Sequence, residues 1–339
     1  MKYRVSSDIN SIEITSWQNF ATRHSRGNIF QTFEMVEVYL NTKNSEPLVV
    51  VCFDEFDTIL GILVAVVQKE YSRIFGKLTA RAIVLGGPVV NDNNSEVALL
   101  IIEEFNRLCR HKVVYSQFRN LWNVNAYSEA FTKTGYVFEE HLDILFDLKK
   151  GKDELWKEIH PTRRKQINRG LKREVKTKVS ELLQPGELAE CYAILRSVYK
   201  EAKLPFPPLA YFGNAISSFT KKGYFRAVLA EYNNEIIGFR FFLSYNKLLY
   251  DWYAGSKSEH YDKYPNDILP WEILKWGAEN GYETFDFGGA GKPDIPYGVR
   301  EYKLKFGGML VNFGRYEKIH KPLLMAVAKM GFKFWKLFK

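Results

Sequence analysis

Residues 226–244, RAVLAEYNNEIIGFRFFLS, read as a β-hairpin across the turn YNNE, and residues 49–67, VVVCFDEFDTILGILVAVV, read as another across FDEFDT. Each turn is acidic or Asn-rich, and each second strand opens on an aliphatic pair and a glycine, Ile-Leu-Gly at Gly61 and Ile-Ile-Gly at Gly238. Hairpins converge on similar turns, so one match is weak alone. The order of elements around the two is also alike, and together these favour an internal duplication.

Around the first hairpin the pattern predicts a helix at 33–40, strands at 48–53, 59–68, 81–85 and 113–118, helices at 96–110 and 126–134, and a last strand at 141–147. Around the second it predicts helices at 153–174 and 187–202, strands at 224–231, 235–245, 247–253 and 284–287, and a helix at 268–280 stopped by Gly281. Strands alternating with helices make this an α/β (α+β) chain, each half a mixed central sheet flanked by helices. At 339 residues two domains are expected, at 1–150 and 151–320, with a tail at 321–339.

Hydrophobic residues at 46% and aromatic residues at 15% supply material for packed cores and argue against disorder. Cys52, Cys109 and Cys191 are scattered, and no two of the six histidines share a helical face, so no metal site is expected. Neither a signal peptide nor an apolar run of ~20 residues is visible. The expected location is the cytoplasm, with a peripheral place at the inner membrane face open.

The positive charge lies in two patches. Residues 160–178 set eight basic residues against the single acid Glu174, and residues 321–339 hold five lysines and no acid. In the tail, Lys329, Lys333 and Lys336 share one helical face while Trp335 and its apolar neighbours share another. Such a segment suits an anionic membrane surface; a final helix packed on the domain has the same periodicity. In PTRRKQINRGLKRE, residues 161–174, Arg163, Arg164 and Arg169 are candidates for binding phosphates, against the alternative of a solvated connecting helix.

The run from RAVLAEYNNEIIGFRFF through YDWYAGS and FDFGGAG to YGVREYKLKFGG resembles the Fem-type peptidyltransferases and related GNAT-like proteins of polysaccharide loci. RRKQINRGLKREV resembles the basic segment that opens their second half, and FQTFEMVEVYL a segment near their N-terminus, although Met35 stands where an aromatic residue is expected. The resemblance implies two tandem GNAT-like domains and transfer of an amino acid from aminoacyl-tRNA to the amine of a lipid-linked or nucleotide-linked peptidoglycan precursor. No tightly bound cofactor is implied. Residues 257–271, KSEHYDKYPNDILPW, lack the glycines with which ordinary acetyltransferases hold the pyrophosphate of coenzyme A, which weakens the alternative of an acyl-CoA donor.

The resemblance places a charge-neutralising lysine at Lys303, with Lys305, two residues on, as the second candidate. Two lysines on an edge strand opposing aggregation are the alternative. Asp286, ahead of Gly288 and Gly289, is placed to orient or deprotonate an acceptor amine, or to cap the glycine turn. Tyr250, Trp252 and Tyr253 are candidates for the groove wall, though aromatic residues at that density are more often core. Two other functions compete: N-acylation of an amino sugar in capsule or exopolysaccharide synthesis, and a non-catalytic module that binds RNA or anionic lipid.

Overall fold

The computed structural model describes residues 2–69 and 79–326, and divides into two compact units. The first is Met1–Glu140 with Phe313–Lys339, and the second is His141–Asn312. Neither boundary falls where the sequence suggested, at 150 and 320. The reason is an exchange of strands, described below.

In the first unit, β1 (Arg4–Ser6), α1 (Ile14–Arg23) and α2 (Phe33–Leu40) precede β2 (Ser45–Phe53), β3 (Ile59–Gln68), β4 (Arg81–Leu85) and the short β5 (Val89–Val90). Then come α3 (Ser95–Cys109), β6 (Tyr115–Arg119), α4 (Ser128–Lys133) and β7 (Val137–Glu139). The sheet runs β1-β2-β3-β4-β6-β15-β7, where β15 is Arg315–Ile319 and β5 pairs with β3. Side chains set the helix starts: Thr32 accepts from Met35 N, and Asn94 from Glu96 N and Val97 N. Gln31 is fully buried and fills a gap in the β3–β4 ladder, accepting from Val64 N (2.7 Å) and donating to Val64 O (3.1 Å) and Leu85 O (2.8 Å). The segment FQTFEMVEVYL thus takes part in holding this sheet together.

In the second unit, β8 (Leu142–Asp147), α5 (Lys152–Glu158) and α6 (Pro161–Lys172) lead to β9 (Lys176–Ser180), α7 (Pro185–Glu201) and α8 (Leu209–Thr220). There follow β10 (Phe225–Tyr232), β11 (Glu235–Tyr245), β12 (Leu248–Ser256), α9 (Pro265–Glu279), β13 (Thr284–Gly291), α10 (Gly298–Leu304) and β14 (Met309–Asn312). The sheet order is β14-β8-β13-β12-β11-β10-β9. The strand expected to end the first domain, β8, lies here between β13 and β14, while β15, from beyond the second unit, pairs with β6 in the first. No local signal in the sequence reveals such an exchange.

The two sheets repeat one plan. An antiparallel hairpin (β2–β3; β10–β11) is followed by an antiparallel neighbour (β4; β12), a helix (α3; α9) and a parallel strand (β6; β13). Both hairpins carry a register shift beside the turn, at Cys52/Phe53 and at Ala230/Glu231. The repeated glycine has a packing cause. A Cβ on Gly61 would come within 2.7 Å of Ile101 in α3, and one on Gly238 within 3.0 Å of Pro265 and 3.2 Å of Leu269 in α9. In each half the glycine lets the following helix settle on the strand.

Two elements differ from expectation. The helix expected over 153–174 is two helices, because Pro161 has no N–H to continue the first and instead begins the second, with His160 accepting from Thr162 N. EYKLKFGG, whose two lysines one alternative above sets on an edge strand, is the end of helix α10 and its exit turn, where Gly307 and Gly308 take φ of 91° and 83°.

Helix α6 approaches α9 through Gly170, whose added Cβ would lie 2.5 Å from Ile268 Cδ1 and 2.6 Å from Lys263 O. Gly170→Ala is therefore expected to cost about 1–3 kcal/mol. Gly186→Ala, in α7 with nothing within 4 Å of the new methyl, should be neutral or slightly stabilising. Denaturant unfolding of the two variants checks this.

Candidate functional site

Strands β12 and β13 pair over three residues only, Leu248↔Thr284, Leu249↔Phe285 and Tyr250↔Asp286. Beyond that point β12 continues to Ser256 and β13 to Gly291 without pairing to each other. A bulge at Trp252 and two register shifts on the β8 side of β13 mark the opening. Around it the second unit buries a group of charges.

Arg240 on β11 donates to Asp251 Oδ2 on β12 at 2.6 Å, with side-chain exposures of 8% and 12%, and its guanidinium lies over the Phe287 ring. The other Asp251 oxygen, Oδ1, is buried with no hydrogen-bond partner among the described residues. Asp286 is 1% exposed and accepts from Gly288 N at 2.8 Å. Burial, and then the neighbouring Asp143 of β8, push its carboxyl well above the usual carboxylate range. Lys303 donates to Phe287 O (2.5 Å), Gly288 O (3.0 Å) and Gly289 O (3.2 Å). An ammonium has three hydrogens, and these carbonyls use all of them. Burial lowers the Lys303 pKa, opposed by Asp251 and Asp143. Beside it, the Tyr302 hydroxyl donates to Asn266 O and is pushed up to about 12 by burial.

Of the residues singled out from the sequence, Lys303, Asp286, Gly288 and Gly289 come together here. Lys305 does not: it is exposed at the end of α10, and its carbonyl accepts from His160 N. Trp252 and Tyr253 pack edge-on against Phe212 of α8, with ring centroids 5.7 and 4.9 Å away, so both belong to an aromatic cluster. Tyr250 is half-buried at the last paired position. Arg163 is no surface cation: it is 9% exposed, ion-paired with Asp267 and set over Tyr302 and Phe306. Arg164 is half-buried and Arg169 exposed. Lys329, Lys333, Trp335 and Lys336 lie outside the described residues.

Sequence reasoning missed Asp143, Arg240 and Asp251. Each is a lone charge within an apolar strand, in LDILF, GFRFF and LYDWY, and that pattern was the available signal.

The turn that leads into α9 is where a GNAT domain would hold the phosphates of coenzyme A, and here it does not fit that group. Pro265 has no N–H, Asp267 N and Ile268 N both donate to Tyr264 O, and the Asp267 carboxylate occupies the first turn. Arg173 from the end of α6 donates to Asp262 O, and Gly170 presses on Lys263 O. Glu235 takes Lys257 and His260. The start of α9 therefore lacks one backbone N–H at Pro265 and carries a carboxylate in its first turn, both unfavourable to a phosphate. Among the described residues no group of three His, Cys, Asp or Glu is placed to hold a metal ion, and no helix is long and apolar enough to cross a membrane.

Residues 161–304, somewhat under half of the chain, match the family model of the acetyltransferase (GNAT) domain. No curated protein matches the sequence. Among solved structures, FemX is 14% identical with a TM-score of 0.73, over 96% of this chain and 100% of that one. A tandem GNAT protein from the clavulanic acid biosynthesis pathway is 8% identical with a TM-score of 0.62, over 94% and 99%. The L-PGS of Bacillus licheniformis is 16% identical with a TM-score of 0.56, over 84% and 88%. These likenesses establish the tandem GNAT fold.

Two outcomes are expected at this site. Lys303→Ala leaves three carbonyls and the nearby carboxylates without their cation, and should cost on the order of 2–4 kcal/mol in unfolding free energy, against almost nothing for Lys305→Ala. Unfolding curves measure both. The raised Asp286 carboxyl means that the folded chain keeps a proton which the unfolded chain releases above about pH 4. The folded state then binds more protons, so stability falls as pH rises from there towards the raised pKa. Asp286→Asn keeps the acceptor for Gly288 N, and should flatten that fall when unfolding is followed between about pH 5 and 8.

Proposed function

With residues 161–304 a GNAT-type domain inside a chain of Fem-like tandem fold, we propose that this protein transfers an aminoacyl group from aminoacyl-tRNA to the amine of a peptidoglycan precursor. The observation that carries the choice of donor is the turn into α9, which begins on Pro265 and sets the Asp267 carboxylate in its first turn, where coenzyme A phosphates would sit. An aminoacyl ester of RNA needs no such cradle.

In the reaction the acceptor nitrogen attacks the ester carbonyl, the C–N bond forms, the C–O bond to the RNA breaks, and a proton passes from the nitrogen to the departing 3′-oxygen. The ester is already activated, so no protein nucleophile takes part. The opening between β12 and β13 offers the groups for this. The unpartnered Asp251 Oδ1 is placed to orient an ammonium or amine, and the Asp286 carboxyl, its pKa raised by burial and by Asp143, holds a proton more tightly than a solvated carboxylate does. Lys303 acts through position and charge: it fixes the carbonyls of Phe287–Gly289 and keeps a positive centre beside the developing oxyanion, with no hydrogen left to donate.

The test supplies the protein with radiolabelled aminoacyl-tRNA and, separately, acetyl-CoA, each with nucleotide-linked and lipid-linked peptidoglycan precursors or an amino sugar. Label moving from tRNA to a precursor is expected, with kcat lowered on the order of 10²–10³-fold in Lys303→Ala that has been shown to be folded. Consumption of acetyl-CoA with an amino sugar instead would make the protein an amino-sugar N-acyltransferase, and inactivity with both donors would remove the enzymatic reading.

A further inference from the structure

Helices α5 and α6 enclose an open groove of about 540 Å³ on the second unit, lined by Trp156, Arg164, Lys165, Asn168, Arg169 and Lys172. Arg164, Asn168 and Lys172 fall at four-residue steps, as do Lys165 and Arg169, so the four cations form one stripe along α6, about 12 Å long at 1.5 Å per residue. What sets them apart is the company they lack. Lys150, Lys152, Lys157, Arg163, Arg173 and Lys178, on the same stretch of chain, all lie within 4 Å of a carboxylate. Among the described residues Arg164, Lys165, Arg169 and Lys172 have no such ion pair. Four cations held together unneutralised make a standing attraction for a polyanion.

The geometry points to a subsite for the single-stranded end of an RNA, with its phosphodiester chain along Arg164, Lys165, Arg169 and Lys172 and a base against Trp156. This rests on the donor proposed above. Trp156 is half-buried and braced by Trp271, with ring centroids 4.7 Å apart, so its indole is a fixed surface on which a base can stack. The Asn168 amide, one turn from both Arg164 and Lys172, offers donor and acceptor to a base edge or a ribose hydroxyl. A membrane surface is the poorer occupant. Ile167 and Gly170, on the apolar side of α6, are buried, and Gly170 lies against α9, so α6 has only Leu171 as a large exposed apolar side chain to insert.

The experiment measures fluorescence anisotropy of a fluorescein-labelled RNA hairpin with a single-stranded 3′ tail, a blunt hairpin of the same stem, and vesicles of phosphatidylglycerol and phosphatidylcholine. Inorganic phosphate serves as competitor. The tailed hairpin is expected to bind best, with log K falling against log salt at a slope of about −2 to −3 for three to four phosphates. Arg169→Gln with Lys172→Gln, both at exposed positions, should take roughly half of that slope, and Trp156→Ala should weaken the tailed hairpin about tenfold while leaving the blunt one alone. Melting curves confirm that the variants are folded. Equal binding of tailed and blunt hairpins, displacement by millimolar phosphate, loss of vesicle rather than RNA binding, or an unchanged salt slope would each overturn the proposal. Tail-dependent RNA binding without aminoacyl transfer would leave the groove standing and remove the proposed reaction, while transfer unaffected in the double variant would do the reverse.

Discussion

Lys303 sits where two parallel strands stop pairing, and much of the second unit is arranged around its ammonium. Three successive carbonyls of β13 turn to it, so the strand keeps its path through a glycine bulge although β12 has already left its side. Burying a lysine is costly in isolation, and carboxylates stand close enough to offset it: Asp251 and Asp143 both act on this one group. Arg240 enters for the same reason, because Asp251 is held by it and not released to solvent.

From that centre the remaining ionic contacts of the unit read as partition. Arg163 and Asp267 join α6 to the start of α9 and close the turn that would otherwise receive phosphate, while the cations on the outer face of α6 stay open. One short helix therefore presents an inward side that is structural and an outward side that is available. The proposed anion site lies on the outer face of α6, in the groove beside Trp156, and not at the helix terminus usual for a nucleotide.

How far the sequence reveals this depends on the distance over which each feature is decided. The hairpin at Asn233 and Asn234, with φ of 50° and 62°, is settled by its own turn residues, and β3 and β4 have the ends that patterning predicts. The repeated glycine was visible as a repeat, but its cause, a helix lying on the strand, was not. Asp286 and Lys303 were legible through the motifs around them. The helical state of Lys303 was hidden because the carbonyls that hold its ammonium lie 14–16 residues earlier. Arg163 was misassigned for a like reason, its partner lying 104 residues away. Asp143, Arg240 and Asp251 stand out locally as lone charges in apolar strands, but the contacts that make them tolerable form only once the sheet is assembled.

The exchange of β8 and β15 has a temporal consequence. β7 pairs with β15 and with no other described strand, and β6 needs β15 on one side, yet β15 leaves the ribosome only after the whole second unit has been made. The second unit is continuous in the chain and can close as soon as Asn312 emerges. The first, though synthesised earlier, must wait with an open strand edge. In this chain the order of synthesis and the order of completion are reversed, and the half that begins first is the one exposed longest to mispairing.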